Sequence, residues 1–234
     1  MQAIFWKEVK SYFYSPIAYV LIGMFTLISS IMFWPNLVAG YGDFNGNLGS
    51  MGYILIFLVP ILTMRILSED RKNGTEVLLL TSPIKLSNVV IGKYLAALFV
   101  FLIMIFISFL YPIILVIFGS SITPQLVGGY VGLILLGASF IAVGIFASSI
   151  TENQVIAAVI GFVALLVIWL ADGIGSMVGG VAAKILYWFS LLSRYEDFNN
   201  GILSLSALVY YISFISVFLF VTIMIIERRR WSQR

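Results

Sequence analysis

The sequence predicts an all-α polytopic membrane protein with six transmembrane helices, and three observations predict it. Apolar residues fill 62% of the 234 positions, charged residues only 10%, and mean hydropathy is +1.10. A soluble domain carries about 25% charged residues, so this composition cannot clothe a water-exposed surface. Six apolar stretches each approach the ~20 residues that a helix needs to cross a hydrocarbon core of ~30 Å. Finally, Lys and Arg gather almost entirely on one side of those stretches once they are threaded back and forth.

Residues 1–15 come first. On a helical wheel Phe5, Val9 and Tyr12 share one face, and Lys7, Lys10, Ser11 and Tyr14 share the other. That pattern is an interfacial helix lying on the inner leaflet. Two readings of it stay open, a positive anchor and a mechanical part. No cleavable signal is evident, because the apolar run that follows is long enough to span. The expected spans are 16–34, 51–66, 94–118, 126–150, 155–171 and 205–226. Length allows one domain, 1–234, with no room for a second.

Charge decides the sidedness. With the N-terminus inside, eleven of the thirteen Lys and Arg are cytoplasmic and only Lys184 and Arg194 are outside. The opposite threading would export Arg228, Arg229 and Arg230, against the positive-inside rule. Both termini are therefore expected in the cytoplasm. Trp6, Trp34, Trp169, Trp188 and Trp231 fall at span ends or interfacial stretches, as an aromatic belt requires. The net charge of +3 suits anionic lipid. No basic stripe interleaved with aromatics is present, so no nucleic-acid partner is expected.

Several function classes drop out. Histidine and cysteine are absent, which removes disulfides, thiol nucleophiles and imidazole chemistry. The spans hold almost no ionisable side chain. Arg65 sits near a cytoplasmic span end and can snorkel, and Asp172 sits at the outer end of the fifth span. Proton-driven transporters need charges at depth, each costing about 2.5–3.5 kcal/mol or more. An intramembrane hydrolase would need an activating group, and the sequence offers no aspartate pair and no lysine expected to be buried. No GxxxxGK[ST] phosphate loop exists either, so the chain binds no ATP in the usual way and needs no cofactor of its own.

Within the spans, Pro60 and Pro112 each free a backbone carbonyl and permit a bend. The fourth span repeats small residues at helical spacing: Gly128 with Gly132, Ala138 with Ala142, Gly144 with Ser148. We read these as packing within the chain rather than as a dimer seam. Residues 172–204 are outside, too apolar for an open loop and interrupted by glycines. They are expected to form short re-entrant helices that dip into the outer leaflet.

The most structured polar stretch is 69–90. Asn73 or Thr75 can cap a helix, and Asn73 with Glu76 has the capping-box spacing. Val77 to Leu80 add one apolar turn, Ser82-Pro83 ends it, and Ser87 can cap the next helix. The result is a cytoplasmic knuckle with an apolar face that something must cover.

This stretch, Glu69-Asp70-Arg71-Lys72-Asn73-Gly74-Thr75-Glu76-Val77-Leu78-Leu79-Leu80-Thr81-Ser82-Pro83, with Gly92-Lys93-Tyr94-Leu95-Ala96 after it, resembles the signature of ABC-2-type transporter permeases. Tyr195-Glu196-Asp197-Phe198-Asn199-Asn200-Gly201-Ile202-Leu203, the terminal Glu227-Arg228-Arg229-Arg230, and Lys7-Glu8, Tyr12 and Ser15-Pro16 look like the gliding-motility (GldF-like) branch. The resemblance implies a dimer in a bacterial plasma (inner) membrane, homo- or heteromeric, with two ABC ATPase subunits docked below. ATP and Mg would sit on that partner. Residues 74–83, with Gly74, Thr75 and Pro83 framing them, would be the coupling helix between spans two and three. Glu69, Arg71 and Glu76 would make its polar contacts, and Leu78, Leu79 and Leu80 would fill the ATPase groove. Spans two and five would rearrange around the dimer interface. Two functions follow: export of an amphipathic substrate past hydroxyls such as Ser29, Ser30 and Thr63, or a membrane anchor that relays ATPase motion to another cell-envelope machine.

Overall fold

The computed structural model describes residues 1–39, 44–76, 84–119 and 123–232, and among them every regular element is a helix. Helix α1 is Gln2–Tyr14. It buries Val9 and Tyr12 and leaves Lys7, Lys10, Ser11 and Tyr14 exposed, the two faces read from the wheel. Helix α2, Pro16–Ala39, runs through Pro35 and past the expected end at residue 34. Proline stops a helix in water more firmly than in a span, where its freed carbonyl is tolerated. Helix α3, Asn45–Thr63, passes through Pro60, and after a turn the short α4, Ser68–Lys72, continues it.

Helix α5, Leu86–Ser108, and α6, Leu110–Ile117, make the third crossing together. They part at Phe109 because Pro112 can neither donate to nor clear the carbonyl of Ser108, four residues back. That carbonyl is not left empty, since the Tyr130 hydroxyl donates to it at 3.0 Å. Helix α5 starts at Leu86 on an extended Lys85. Ser87 therefore lies inside the first turn and is not the cap. Helix α7 is Pro124–Ile150 and α8 is Gln154–Val178, the latter capped by Asn153, whose side chain accepts from the amides of Val155 and Ile156.

Among the described residues, six helical stretches are long and apolar enough to cross a membrane: Pro16–Val38, Asn45–Lys72, Leu86–Ile117, Pro124–Ile150, Gln154–Val178 and Leu205–Arg229. The last belongs to α11, Leu205–Ser232. Their arrangement is centred on α7, with 78% of its apolar window buried against 22–28% for α2, α8 and α11. The small residues of α7 explain this. A side chain at Gly132 would meet Phe198 at 2.7 Å, one at Gly128 would strike the Phe198 carbonyl, and one at Gly144 would strike Thr63. Ala138, Ala142 and Ser148 are buried as well. The small-residue repeat is spent inside the chain.

Three expectations need correcting here. Trp169 belongs to no interfacial belt. It is buried, lies 4.7 Å from the Tyr53 ring and closes over Gly52. The fifth span does not end at residue 171, so Asp172 lies within α8, where it accepts a hydrogen bond from Ser190. Ser29 and Thr63 are buried against protein, and only Ser30, bonded to Tyr111 at 2.9 Å, is exposed.

Between α8 and α11 lie two short helices, α9 (Gly180–Phe189) and α10 (Leu192–Asn199). Gly179 and Gly180 both hold left-handed backbone, φ +67° and +66°, which reverses the chain so that α9 packs back along α8. Helix α10 packs on α7. Its Tyr195 is buried, which pushes the phenol well above its usual range, so it stays uncharged.

Candidate coupling site

The polar residues that follow α3 are knitted to four other helices. Arg65 and Glu69 stand one helical turn apart and pair through two bonds, at 2.8 and 3.0 Å. A third Arg65 bond, 3.1 Å to the Ser15 hydroxyl, reaches the α1–α2 junction. Close by, the Tyr12 hydroxyl donates to the Leu62 carbonyl at 2.7 Å. Burial, aided by the Glu8 charge, pushes this phenol far above its usual range, so it remains a neutral donor.

Asp70 is the centre of the next layer. Its Oδ2 lies 2.7 Å from Lys93 Nζ on α5. The Thr75 hydroxyl meets Asp70 twice, at its carbonyl (3.1 Å) and at Oδ1 (3.0 Å). Lys93 is only 2% exposed, and its ammonium also donates to Glu8 of α1 at 2.9 Å and to the Ile66 carbonyl at 2.7 Å. The expectation that no lysine is buried is therefore wrong. Two of the Lys93 N–H groups donate, to Glu8 and to the Ile66 carbonyl, and the Asp70 carboxylate stands beside the charge. As an ammonium the side chain offers no lone pair to act as a base.

Arg71 and Glu76 carry the knitting to the far side. Arg71 pairs with Glu152 at 2.8 Å and donates to the Ile150 carbonyl at 3.1 Å, where α7 gives way to α8. Glu76 lies 3.5 Å from Arg229 near the end of α11, and Arg229 also donates to the Ser149 carbonyl. Glu69, Arg71 and Glu76 keep 35%, 30% and 19% of their side-chain surface exposed. Each of the three expected contact residues is thus tied to its own chain, with one edge left exposed.

The backbone corrects the expected cap. Asn73 has helical angles, and its N–H donates to the Glu69 carbonyl at 2.9 Å, so it closes α4 instead of opening a capping box. Gly74 follows in left-handed geometry, φ +71°, with its N–H on the Arg71 carbonyl at 3.1 Å. This is the glycine that commonly terminates a helix. Thr75 and Glu76 are helical again. Val77, Leu78, Leu79, Leu80, Thr81, Ser82 and Pro83 lie outside the described residues.

Sequence reasoning missed Glu8, Lys93, Glu152 and Arg229 as partners of this stretch. For Lys93 a signal existed. Leu86, Val89, Val90, Lys93, Ala97, Val100, Phe101 and Met104 recur at helical spacing, and all are buried. A lysine in that register must find charges inside the protein. Among the described residues no group of three or more acidic side chains could hold a metal ion.

Residues 17–227, most of the chain, match the family model described as ABC-2 family transporter protein. No curated protein matches the chain.

Proposed function

The chain belongs to the ABC-2 transporter family, whose permeases are membrane components that generally work with an ABC ATPase, and from that premise we propose that it forms the membrane half of an ATP-driven exporter. The observation that carries the reading is the knuckle at 69–76. Its ion pairs and hydrogen bonds run to α5, the α7–α8 junction and α11, and Arg65, paired with Glu69, reaches Ser15 at the α1–α2 junction. A push on this knuckle reaches most of the bundle at once.

In this reading ATP and Mg bind on the ATPase, whose closure presses residues 74–83. Gly74, Thr75 and Pro83 set the helix ends, Leu78, Leu79 and Leu80 enter the ATPase groove, and the exposed edges of Glu69, Arg71 and Glu76 supply polar contacts. Two permease chains meet across spans two and five. Helix α1 lies on the inner leaflet and α9 and α10 dip into the outer one. Both termini are cytoplasmic, and the membrane is a bacterial plasma membrane. The motifs at both ends of the chain favour the gliding-motility (GldF-like) branch. The substrate is amphipathic, because the spans offer aliphatic and aromatic surface with little fixed charge.

Leu79→Asp combined with Glu76→Arg abolishes co-purification of the ATPase if the knuckle docks it. Leu79→Asp alone is run in parallel, because Glu76→Arg also parts the Arg229 pair. Undiminished co-purification of the double variant overturns the proposal. A second reading, a membrane anchor that relays ATPase motion to another envelope machine, draws on the burial of Ser29 and Thr63, two of the hydroxyls a solute path would have used. Liposomes holding the complex, hydrolysing ATP yet moving no candidate lipid or peptide, would favour it.

A further inference from the structure

The amphipathic pattern of α1 suits either a positive anchor or a moving part. We propose that the Glu8–Lys93–Asp70 cluster makes it a moving part, clamped to the knuckle and displaced with it. The inference rests on the coupling reading above and names the side chains through which α1 joins it.

Four of the contacts that attach α1 fall on one stripe. Ile4 covers Gly92, lying 3.2 Å from where a side chain there would begin. Glu8 holds Lys93 at 2.9 Å. Tyr12 holds the Leu62 carbonyl at 2.7 Å. Ser15, just past the helix end, takes Arg65 at 3.1 Å. The positions 4, 8, 12 and 15 are spaced by four, four and three, which is one face of a helix. The partners Gly92 and Lys93 lie on α5, Leu62 near the end of α3 and Arg65 just past it.

The central contact is the one that resists separation. Lys93 is 2% exposed, and Glu8 keeps 14% of its side chain exposed. Pulling Glu8 away strips one of the two carboxylates that hold this buried ammonium, and a charged contact made out of water parts less readily than a surface pair. The contrast stands on the same helix, where Lys7 is 67% exposed and sits 3.7 Å from Glu8. Asp70 is bound to Lys93 on one side and to Thr75 on the other. Displacement of Thr75 therefore draws on Asp70, then Lys93, then Glu8, and α1 follows. Glu8 and Lys93 are positioning residues in this scheme, since neither touches the ATPase.

The chain contains no cysteine, so Ser11→Cys on the exposed face of α1 provides a single labelling point. The labelled chain, purified with its ATPase in lipid nanodiscs, carries an environment-sensitive fluorophore there. ATP, Mg and vanadate are expected to shift its emission. Glu8→Gln, which leaves Lys93 paired with Asp70, should remove at least half of that shift while ATPase association stays intact. Glu8→Asp, which keeps the charge, should retain most of it. A full shift in Glu8→Gln, or no shift in the parent with ATPase bound, overturns the inference and spares the coupling reading. A parent that captures no ATPase overturns both.

Discussion

Tyr130→Phe should destabilise the protein because of a proline eighteen positions upstream. Pro112 cannot donate to the Ser108 carbonyl, and the Tyr130 hydroxyl fills that vacancy at 3.0 Å. The substitution removes one oxygen and leaves the ring, which stacks on Phe109 at 4.3 Å and 18°. Ring terms therefore cancel. A buried hydrogen bond is worth about 0.5–1.5 kcal/mol net, and orphaning its acceptor costs about 1–3. Measured interhelical bonds in membranes average ~0.6 kcal/mol. We expect a loss of about 1–1.5 kcal/mol. In a Pro112→Ala background the new N–H at position 112 can reach the same carbonyl, so Tyr130→Phe should then cost only about 0.5 kcal/mol. The coupling, on the order of 1 kcal/mol, is read from a double-mutant cycle of reversible unfolding in mixed mild and denaturing detergent. An equal cost in the two backgrounds would refute the argument, because the carbonyl would then not be what Tyr130 serves.

Other outcomes follow from single contacts. Gly128→Ala should cost about 1–3 kcal/mol, since the new methyl meets the Phe198 carbonyl, which is backbone and cannot swing away. Gly23→Ala in α2, with nothing within 4 Å, should be neutral or stabilising by up to ~1 kcal/mol. Scanning fluorimetry of the two variants side by side checks both. Glu152→Gln parts an exposed pair with Arg71 and should change stability by less than ~1 kcal/mol. Cysteines placed at Lys184 and at Lys7 test the threading. A membrane-impermeant maleimide on intact cells should label the first, and the second only after permeabilisation. Labelling of Lys7 in intact cells would reverse the orientation.

The six crossings were legible because lipid imposes hydrophobicity on whole helices, and composition records that directly. Their ends were not, because punctuation rules learned in water overstate what Pro35 does to α2. The α7 glycines could be read because small residues at helical spacing have few other uses in a span. Trp169 was misplaced because its burial depends on Gly52, more than a hundred positions away, making room for it. At the knuckle, the charge pattern identified which residues carry weight but not what they hold. Lys93 finds Glu8 only after the chain has crossed the bundle twice. Asn73 has a cap's spacing to Glu76, but left-handed Gly74 stands between them and ends the earlier helix.

The uneven burial of the six crossings has a consequence for how such a chain can diversify. Nearly every face of α7 is spoken for by its own neighbours, so a substitution there is judged by whether the fold survives. Most of the surface of α2, α8 and α11 is open, so a substitution there alters what the chain can touch at little cost to itself. New cargo, a new sister subunit or a thicker bilayer can be met by rewriting those outer three helices. The same division tells an engineer where a retargeted variant should be randomised and where it should be left alone.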